Sequence, residues 1–170
     1  AFDALVHSMT TIATGGYSNH NASIGHFGSL PIELTAIVFM ILGSLPFALY
    51  LRALHGDFRA MLRDSQVRWF LATLAVFSVV GVYAHAPDAP VTESGKYVDS
   101  VFNVVSIMTG TGYATSAYDI WSPMAVSLFF ILMFIGGCSG STSCGIKIFR
   151  FQVLFQGLRQ KIRLMFHPHG

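Results

Sequence analysis

The chain has 170 residues, of which 53% are hydrophobic and only 11% are charged. Soluble domains carry about 25% charged residues, so this composition predicts a membrane protein surrounded by lipid, without a nucleic-acid partner. The net charge of +2 says little by itself, but nine of the ten Lys and Arg residues fall in two segments, 52–68 and 147–163.

The chain opens on a short apolar stretch that leads into a glycine-rich turn. Residues 1–12 favour a helix, which is too short to cross a bilayer because a span takes about 20 apolar residues. Residues 13–18 form the turn, and the polar residues 19–29 predict a loop that faces water. No cleavable leader is expected at the start. Because the chain opens inside a re-entrant helix, we expect further spanning segments upstream.

Residues 30–51 predict the first full span, a helix of about 33 Å at 1.5 Å per residue. Pro46 should kink this helix, because proline cannot donate a backbone hydrogen bond. Glu33 lies near the start of the span, where we expect its carboxylate to reach the lipid headgroups. The basic segment 52–68 then predicts an exposed or interfacial helix.

A second span is predicted over 69–86, and a Pro-rich loop over 87–96 follows it. Residues 97–108 repeat the pattern of a short helix, and 109–114 repeat the turn. Residues 116–123, which include a tryptophan, predict a return at the membrane interface, where aromatic rings are favoured.

The third span, 124–149, is interrupted by glycine and serine, and a basic amphipathic helix is expected over 150–166. Unwound backbone at membrane depth is tolerated only where protein covers it or water lines it. The interruption therefore predicts either a gate beside a permeation path or a helix break packed against its neighbours. Its residues are Gly136, Gly137, Cys138, Ser139, Gly140, Ser141, Thr142, Ser143, Cys144 and Gly145.

The two turns are copies of each other. A shift of 96 positions places Gly16 on Gly112 and Asp3 on Asp99. Glycine frees the backbone to direct carbonyls into a shared space, and carbonyl rings that replace the water shell of an ion form potassium filters. The alternative is a pair of ordinary glycine turns. The predicted coordinating carbonyls are those of Thr14, Gly15, Gly16, Tyr17, Gly110, Thr111, Gly112 and Tyr113.

The familiar symmetric potassium filter is a ring of four such turns. This chain has two, so two further turns must come from further sequence or from another chain. Asp3 and Asp99 fall at the start of the short helices, where we expect them to stabilise the helix N-terminus. The positive-inside rule places 52–68 and 147–163 in the cytoplasm, and this places both turns on the outer side.

Other chemistries find little support. A phosphate-binding loop would need Lys directly after its second glycine, but Ile146 follows Gly145. The seven histidines show no metal-binding pair on a predicted helix, and no cofactor is expected. Cys138 and Cys144 are interpreted as small apolar fillers, since they offer too few ligands for zinc.

The sequences Ala13–Ser18, Thr109–Tyr113 and Phe134–Lys147 together resemble the bacterial TrkH/TrkG potassium-uptake proteins of the Trk/Ktr/HKT superfamily. The resemblance implies an all-α membrane protein of repeated helix–pore loop–helix units in the bacterial inner membrane. Residues 136–145 would be its gate, and glycine at 16 and 112 would favour potassium over sodium.

The resemblance also assigns the segments and the partners. Residues 1–51 would be the pore loop and second helix of one repeat, 52–68 a cytoplasmic connection, 69–150 a complete repeat and 151–170 a basic tail. It implies the remaining repeats, a homodimer and a nucleotide-binding cytoplasmic subunit of the TrkA type. The alternatives are a two-span channel subunit that assembles from several chains and, with no nucleophile–base pair in support, a membrane-embedded enzyme or interaction protein.

Overall fold

The computed structural model describes residues 1–85 and 95–166, so most of the loop predicted over 87–96 lies outside the described residues. Within these ranges the chain is helical, and its only β-type pairing is an isolated parallel bridge between Ile135 and Ile146. The predicted all-α architecture is therefore confirmed. The helices are α1 (Phe2–Ile12), α2 (Leu30–Gly43), α3 (Phe47–Leu54), α4 (Phe58–Arg63), α5 (Ser65–Ala84), α6 (Lys96–Met108), α7 (Pro123–Leu132) and α8 (Ile148–Phe166).

Helix α5 is the one described helix that is long and apolar enough to cross a membrane unaided. It begins at Ser65, four residues before the predicted start of the second span. Asp64 explains the earlier start, because its carboxylate accepts hydrogen bonds from the backbone N–H groups of Gln66 and Val67. A side chain that satisfies free N–H groups at a helix start is a strong initiation signal.

The kink predicted at Pro46 is confirmed, and it is sharp enough to divide the first span into two helices. Helices α2 and α3 meet at an angle of 95°, with the break directly before Pro46. Proline removes one backbone donor, and the groups at the break find partners in a distant loop: Cys138 N–H donates to Ser44 O at 3.0 Å and Phe47 N–H to Gly140 O at 3.0 Å. The expectation that the Glu33 carboxylate reaches the lipid headgroups is wrong, because the side chain is fully buried within the protein.

Helix α6 is the centre of the packing. Almost every residue from Asp99 to Thr109 is buried, because α2, α5 and α7 all pack against it. Gly81 on α5 allows this close approach, since a Cβ there would lie 2.7 Å from Val104 Cγ2. Its counterpart α1 packs against α2 and leaves Phe2, Leu5 and Met9 exposed.

The third span is interrupted as predicted, but α7 ends at Leu132, before the glycine-rich run begins. Helix α8 resumes at Ile148 and continues to Phe166, which extends the helix expected over 150–166. Trp121, expected in the return at the membrane interface, is buried among other side chains. It is only 2% exposed, and its ring stacks on that of His85 with 4.0 Å between centroids.

Candidate functional site

The two glycine-rich turns have the same backbone conformation. The dihedral φ is positive at Thr14 (49°) and Gly16 (65°), and again at Gly110 (74°) and Gly112 (86°), which occupy the same positions 96 residues later. Glycine adopts positive φ without a steric penalty. Thr14 is β-branched, and positive φ is a genuine outlier for such a residue. The conformation is therefore kept in the first turn even where the residue type opposes it.

The turns lie side by side. A Cβ added to Gly16 would lie 1.9 Å from the carbonyl oxygen of Thr111 and 3.2 Å from the carbonyl carbon of Gly112. Only glycine permits two backbones to approach this closely. The structure thus brings together two segments that are about a hundred residues apart in sequence.

Each turn is fastened to its own short helix in the same way. The hydroxyl of Thr10 donates to Tyr17 O at 3.0 Å, and the hydroxyl of Ser106, at the matching position, donates to Tyr113 O at 2.6 Å. The tyrosine carbonyls therefore keep one lone pair each. The carbonyls of 14–16 and 110–112 accept no hydrogen bond from any described residue.

The two tyrosine side chains differ. Tyr113 is 1% exposed, and its hydroxyl donates to His7 O at 3.1 Å while it contacts the hydroxyls of Thr10 and Thr11. The second turn is thereby tied to the helix that precedes the first turn. The ring of Tyr17 is 76% exposed.

The segment before α2 also joins the two turns. Gly25 N–H donates to Ala114 O at 3.2 Å, and a Cβ on Gly25 would lie 2.3 Å from Thr115 O. Ile24 beside it is 2% exposed. The loop over 19–29 is therefore not simply water-facing, as its polar composition predicted, because part of it packs on the exit of the second turn.

The loop over 136–145 is folded tightly against the ends of α1 and α2. The hydroxyl of Thr142 contacts two carbonyl oxygens, that of Ile12 at 3.1 Å and that of Gly43 at 3.0 Å. The loop is closed at its base, where Gly136 N–H donates to Ile146 O at 2.9 Å. The loop also lies at the break between α2 and α3, where its hydrogen bonds to Ser44 and Phe47 stabilise the bend.

The same loop reaches the second turn. A Cβ on Gly110 would lie 3.0 Å from both the Cβ and the backbone nitrogen of Cys144. Cys144 is exposed while Cys138 is buried, so the reading of both as fillers is wrong for Cys144. Lys147 donates to Ser143 O and lies 3.4 Å from Ser141 Oγ, so its ammonium group binds oxygens of the loop itself. The loop therefore contacts the last residue of α1 and the start of the second turn.

Asp99 has a role that sequence reasoning missed. Asp99 lies in the first turn of α6, as expected, where a negative charge stabilises the helix N-terminus, but its carboxylate does not cap the helix. The carboxylate instead accepts hydrogen bonds from Thr115 Oγ1, from Ser116 Oγ at 2.8 Å and from Asn103 Nδ2 at 3.1 Å. A signal was present in the sequence, because Asn19 and Thr115 are polar residues at matching positions in the 96-residue shift. In the structure Asn19 Nδ2 donates to Asp3 Oδ1 at 3.1 Å, as Thr115 donates to Asp99.

Comparison with known proteins places this arrangement in a family. Residues 1–169 match the family model TrkH, described as cation transport protein. The chain is 45% identical to the Trk system potassium uptake protein TrkI of Halomonas elongata, covering 99% of this chain and 34% of that protein. It is 32% identical to the Trk system potassium uptake protein TrkG of Escherichia coli, covering 99% and 35%.

The crystal structure of the potassium transporter TrkH from Vibrio parahaemolyticus superposes with a TM-score of 0.90 at 30% identity. The match covers 99% of this chain and 37% of that one. The chain thus spans about a third of the length of the curated relatives it matches. Its fold is that of a membrane all-α transporter with helix–pore loop units.

The contact between the turns predicts opposite outcomes for two adjacent glycines. Gly16→Ala places a methyl group 1.9 Å from a carbonyl oxygen at positive φ, whereas Gly15→Ala meets nothing closer than Tyr17 Cδ2 at 3.4 Å. Overpacking of this kind costs about 1–3 kcal/mol. The thermal unfolding midpoint of the detergent-solubilised protein should therefore fall in Gly16→Ala and stay near wild type in Gly15→Ala. Equal midpoints for the two variants would contradict the close approach.

Proposed function

The chain belongs to the TrkH family of cation transport proteins, and from this membership we propose that it forms part of a pathway for potassium uptake across the bacterial cytoplasmic membrane. Its relatives are named as transport proteins, which agrees with a role other than catalysis. The observation that carries the proposal is the pair of adjoining turns with matching backbone dihedrals and unengaged carbonyls.

The carbonyls of 14–16 and 110–112 supply the main coordinating oxygens, with the remaining lone pairs of Tyr17 and Tyr113 at their ends. A potassium ion sheds water in a narrow pore only if the protein offers oxygens at comparable cost. These six carbonyls accept no hydrogen bond from the described residues, so they are free to do so. Two turns make half of a fourfold ring, and the remaining repeats of the protein supply the other half.

The short helices add electrostatic stabilisation. Both α1 and α6 end directly at a turn, so the partly negative C-terminal end of each helix lies beside the proposed ion path. A helix terminus carries the equivalent of about half an elementary charge, and a cation is stabilised near the C-terminal end.

We propose that the loop over 136–145 is the gate. It lies against Gly110 of the second turn and is hydrogen-bonded to Ile12 at the end of α1, and these two contacts support the proposal. Its hydrogen bonds to the break between α2 and α3 give a physical route for opening. Movement of α3 would withdraw Phe47, the partner of the Gly140 carbonyl, from the loop.

The partners follow from family membership. We propose a homodimer regulated by a cytoplasmic nucleotide-binding subunit of the TrkA type. The basic segments 52–68 and 147–163 lie on the cytoplasmic side and provide positive charge there. The segments 1–51 and 69–150 are proposed as parts of two successive repeats, in agreement with the repeated geometry.

Gly112→Ser tests the filter. A side chain there meets no described atom, so the variant should fold, but positive φ of 86° strains any residue with a Cβ and so disturbs the carbonyls. Discrimination against sodium should weaken, measured as competition by sodium during rubidium uptake. Gly56→Ser is the matched control, since Gly56 also has positive φ (94°) and open surroundings but lies between α3 and α4. Unchanged competition in Gly112→Ser would remove the filter assignment.

Deletion of residues 139–141 tests the gate. The deletion removes the Gly140 carbonyl that binds Phe47 and the Ser141 hydroxyl that binds Cys138 O, so ungated conductance should rise. Single-channel or flux recordings of the purified native protein would measure this. Ser139→Ala is the control, because only the backbone of Ser139 takes part in its hydrogen bond to Gln66. A conductance unaltered by the deletion would exclude the loop as a gate.

A further inference from the structure

We propose that Asp99 is a positioning residue for ion selectivity, which fixes the outward end of the second turn to the start of α6. The set formed by Asp99, Asn103, Thr115 and Ser116 is called the carboxylate brace below. This inference rests on the proposed filter and assigns its selectivity partly to side chains that contact no ion.

The brace is buried and fully occupied. Asp99 and Asn103 have no exposed surface, and the carboxylate takes donors at both oxygens, Thr115 at Oδ1 and Ser116 at Oδ2. Asn103 Nδ2 bonds to Asp99 Oδ1 at 3.1 Å and to Thr115 Oγ1 at 2.9 Å, and it therefore connects the helix side to the turn side. A buried charge is costly unless it is hydrogen-bonded, and hydrogen bonds to ionised groups are about twice as strong as neutral ones.

Its position in the chain gives the brace its effect on the turn. Thr115 follows Tyr113 by two residues, and Ser106 holds the carbonyl of Tyr113 from the other end of the helix. The backbone over 110–112 is thereby held at both ends, by the end of α6 on one side and by the brace on the other. A turn with both ends fixed resists contraction around a smaller ion, and the proposal assigns part of the discrimination against sodium to this resistance.

The first repeat contains the same brace built from other residues. His7 Nδ1 donates to Asp3 O at 2.7 Å, as Asn103 Nδ2 donates to Asp99 O at 2.9 Å. Asn19, in the position of Thr115, donates to the Asp3 carboxylate, and His20, in the position of Ser116, lies 3.6 Å from it. The recurrence of one geometry with different donor side chains indicates that the connection itself is what the fold maintains.

The two copies differ in exposure. The Asp3 side chain is 46% exposed, whereas Asp99 is fully buried. The second copy is therefore the one to test, because it is enclosed by residues of this chain.

Thr115→Val removes the hydroxyl of the brace at nearly constant volume, and Thr115→Ser restores it. The native protein is reconstituted in liposomes, and rubidium uptake is measured against increasing sodium. We expect Thr115→Val to lower the ratio of rubidium to sodium affinity by about tenfold, since a lost hydrogen bond to a charged group changes an equilibrium by roughly that factor. Thr115→Ser should recover the wild-type ratio. Thr73→Val is the matched control, because the Thr73 hydroxyl bonds only to Trp69 O within α5.

Asp99→Asn is a second variant of nearly the same shape, in which an NH2 group replaces one carboxylate oxygen. It should also lower the ratio of rubidium to sodium affinity. The role of the brace would be overturned if Thr115→Val and Asp99→Asn both kept the wild-type ratio of rubidium to sodium affinity while Gly112→Ser lowered it. The proposed filter would be unaffected by that result. Absence of rubidium uptake by the wild-type protein, or no change in Gly112→Ser, would overturn the proposed filter and the brace with it.

Discussion

The close approach of Gly16 to the backbone of Thr111 is the constraint on which the rest of the structure depends. An added Cβ would lie 1.9 Å from the carbonyl oxygen, so the two turns can adjoin only because a hydrogen stands where a side chain would be. The hydroxyl of Tyr113 on the end of α1 and the packing of Gly25 on Thr115 hold the turns in this contact. The loop over 136–145 contacts the last residue of α1 and Gly110 of the second turn.

The two repeats share a backbone but not an environment. Helix α6 is enclosed by three other helices, while α1 contacts α2 and remains open on its other face. The same holds for the tyrosine pair, with Tyr113 buried and Tyr17 exposed. In the second repeat the buried polar groups around Asp99 are satisfied by one another, and this is the condition for placing a carboxylate in a low-dielectric interior. The first repeat achieves the same connection at a surface.

Local features could be predicted from the sequence. The short helices, the turns and the interruption of the third span each follow from a pattern within a dozen residues, and the 96-residue shift aligned the positions that have positive φ. The start of α5 could also have been read from Asp64, which is a favoured helix-capping residue. What could not be predicted depends on distant partners. The kink at Pro46 was predicted, but its angle of 95° depends on hydrogen bonds with the loop over 136–145, and the burial of Trp121 depends on His85 beside it. Asp99 was recognised as a helix-start residue, but its hydrogen bonds were not predicted because its donors Thr115 and Ser116 come from beyond the turn.

The most direct measurement is the anomalous scattering of rubidium in crystals of the native protein. The account predicts an ion peak within coordination distance of carbonyl oxygens from both turns, among residues 14–16 and 110–112. A crystal that binds rubidium elsewhere, with no peak shared by the two turns, would contradict it.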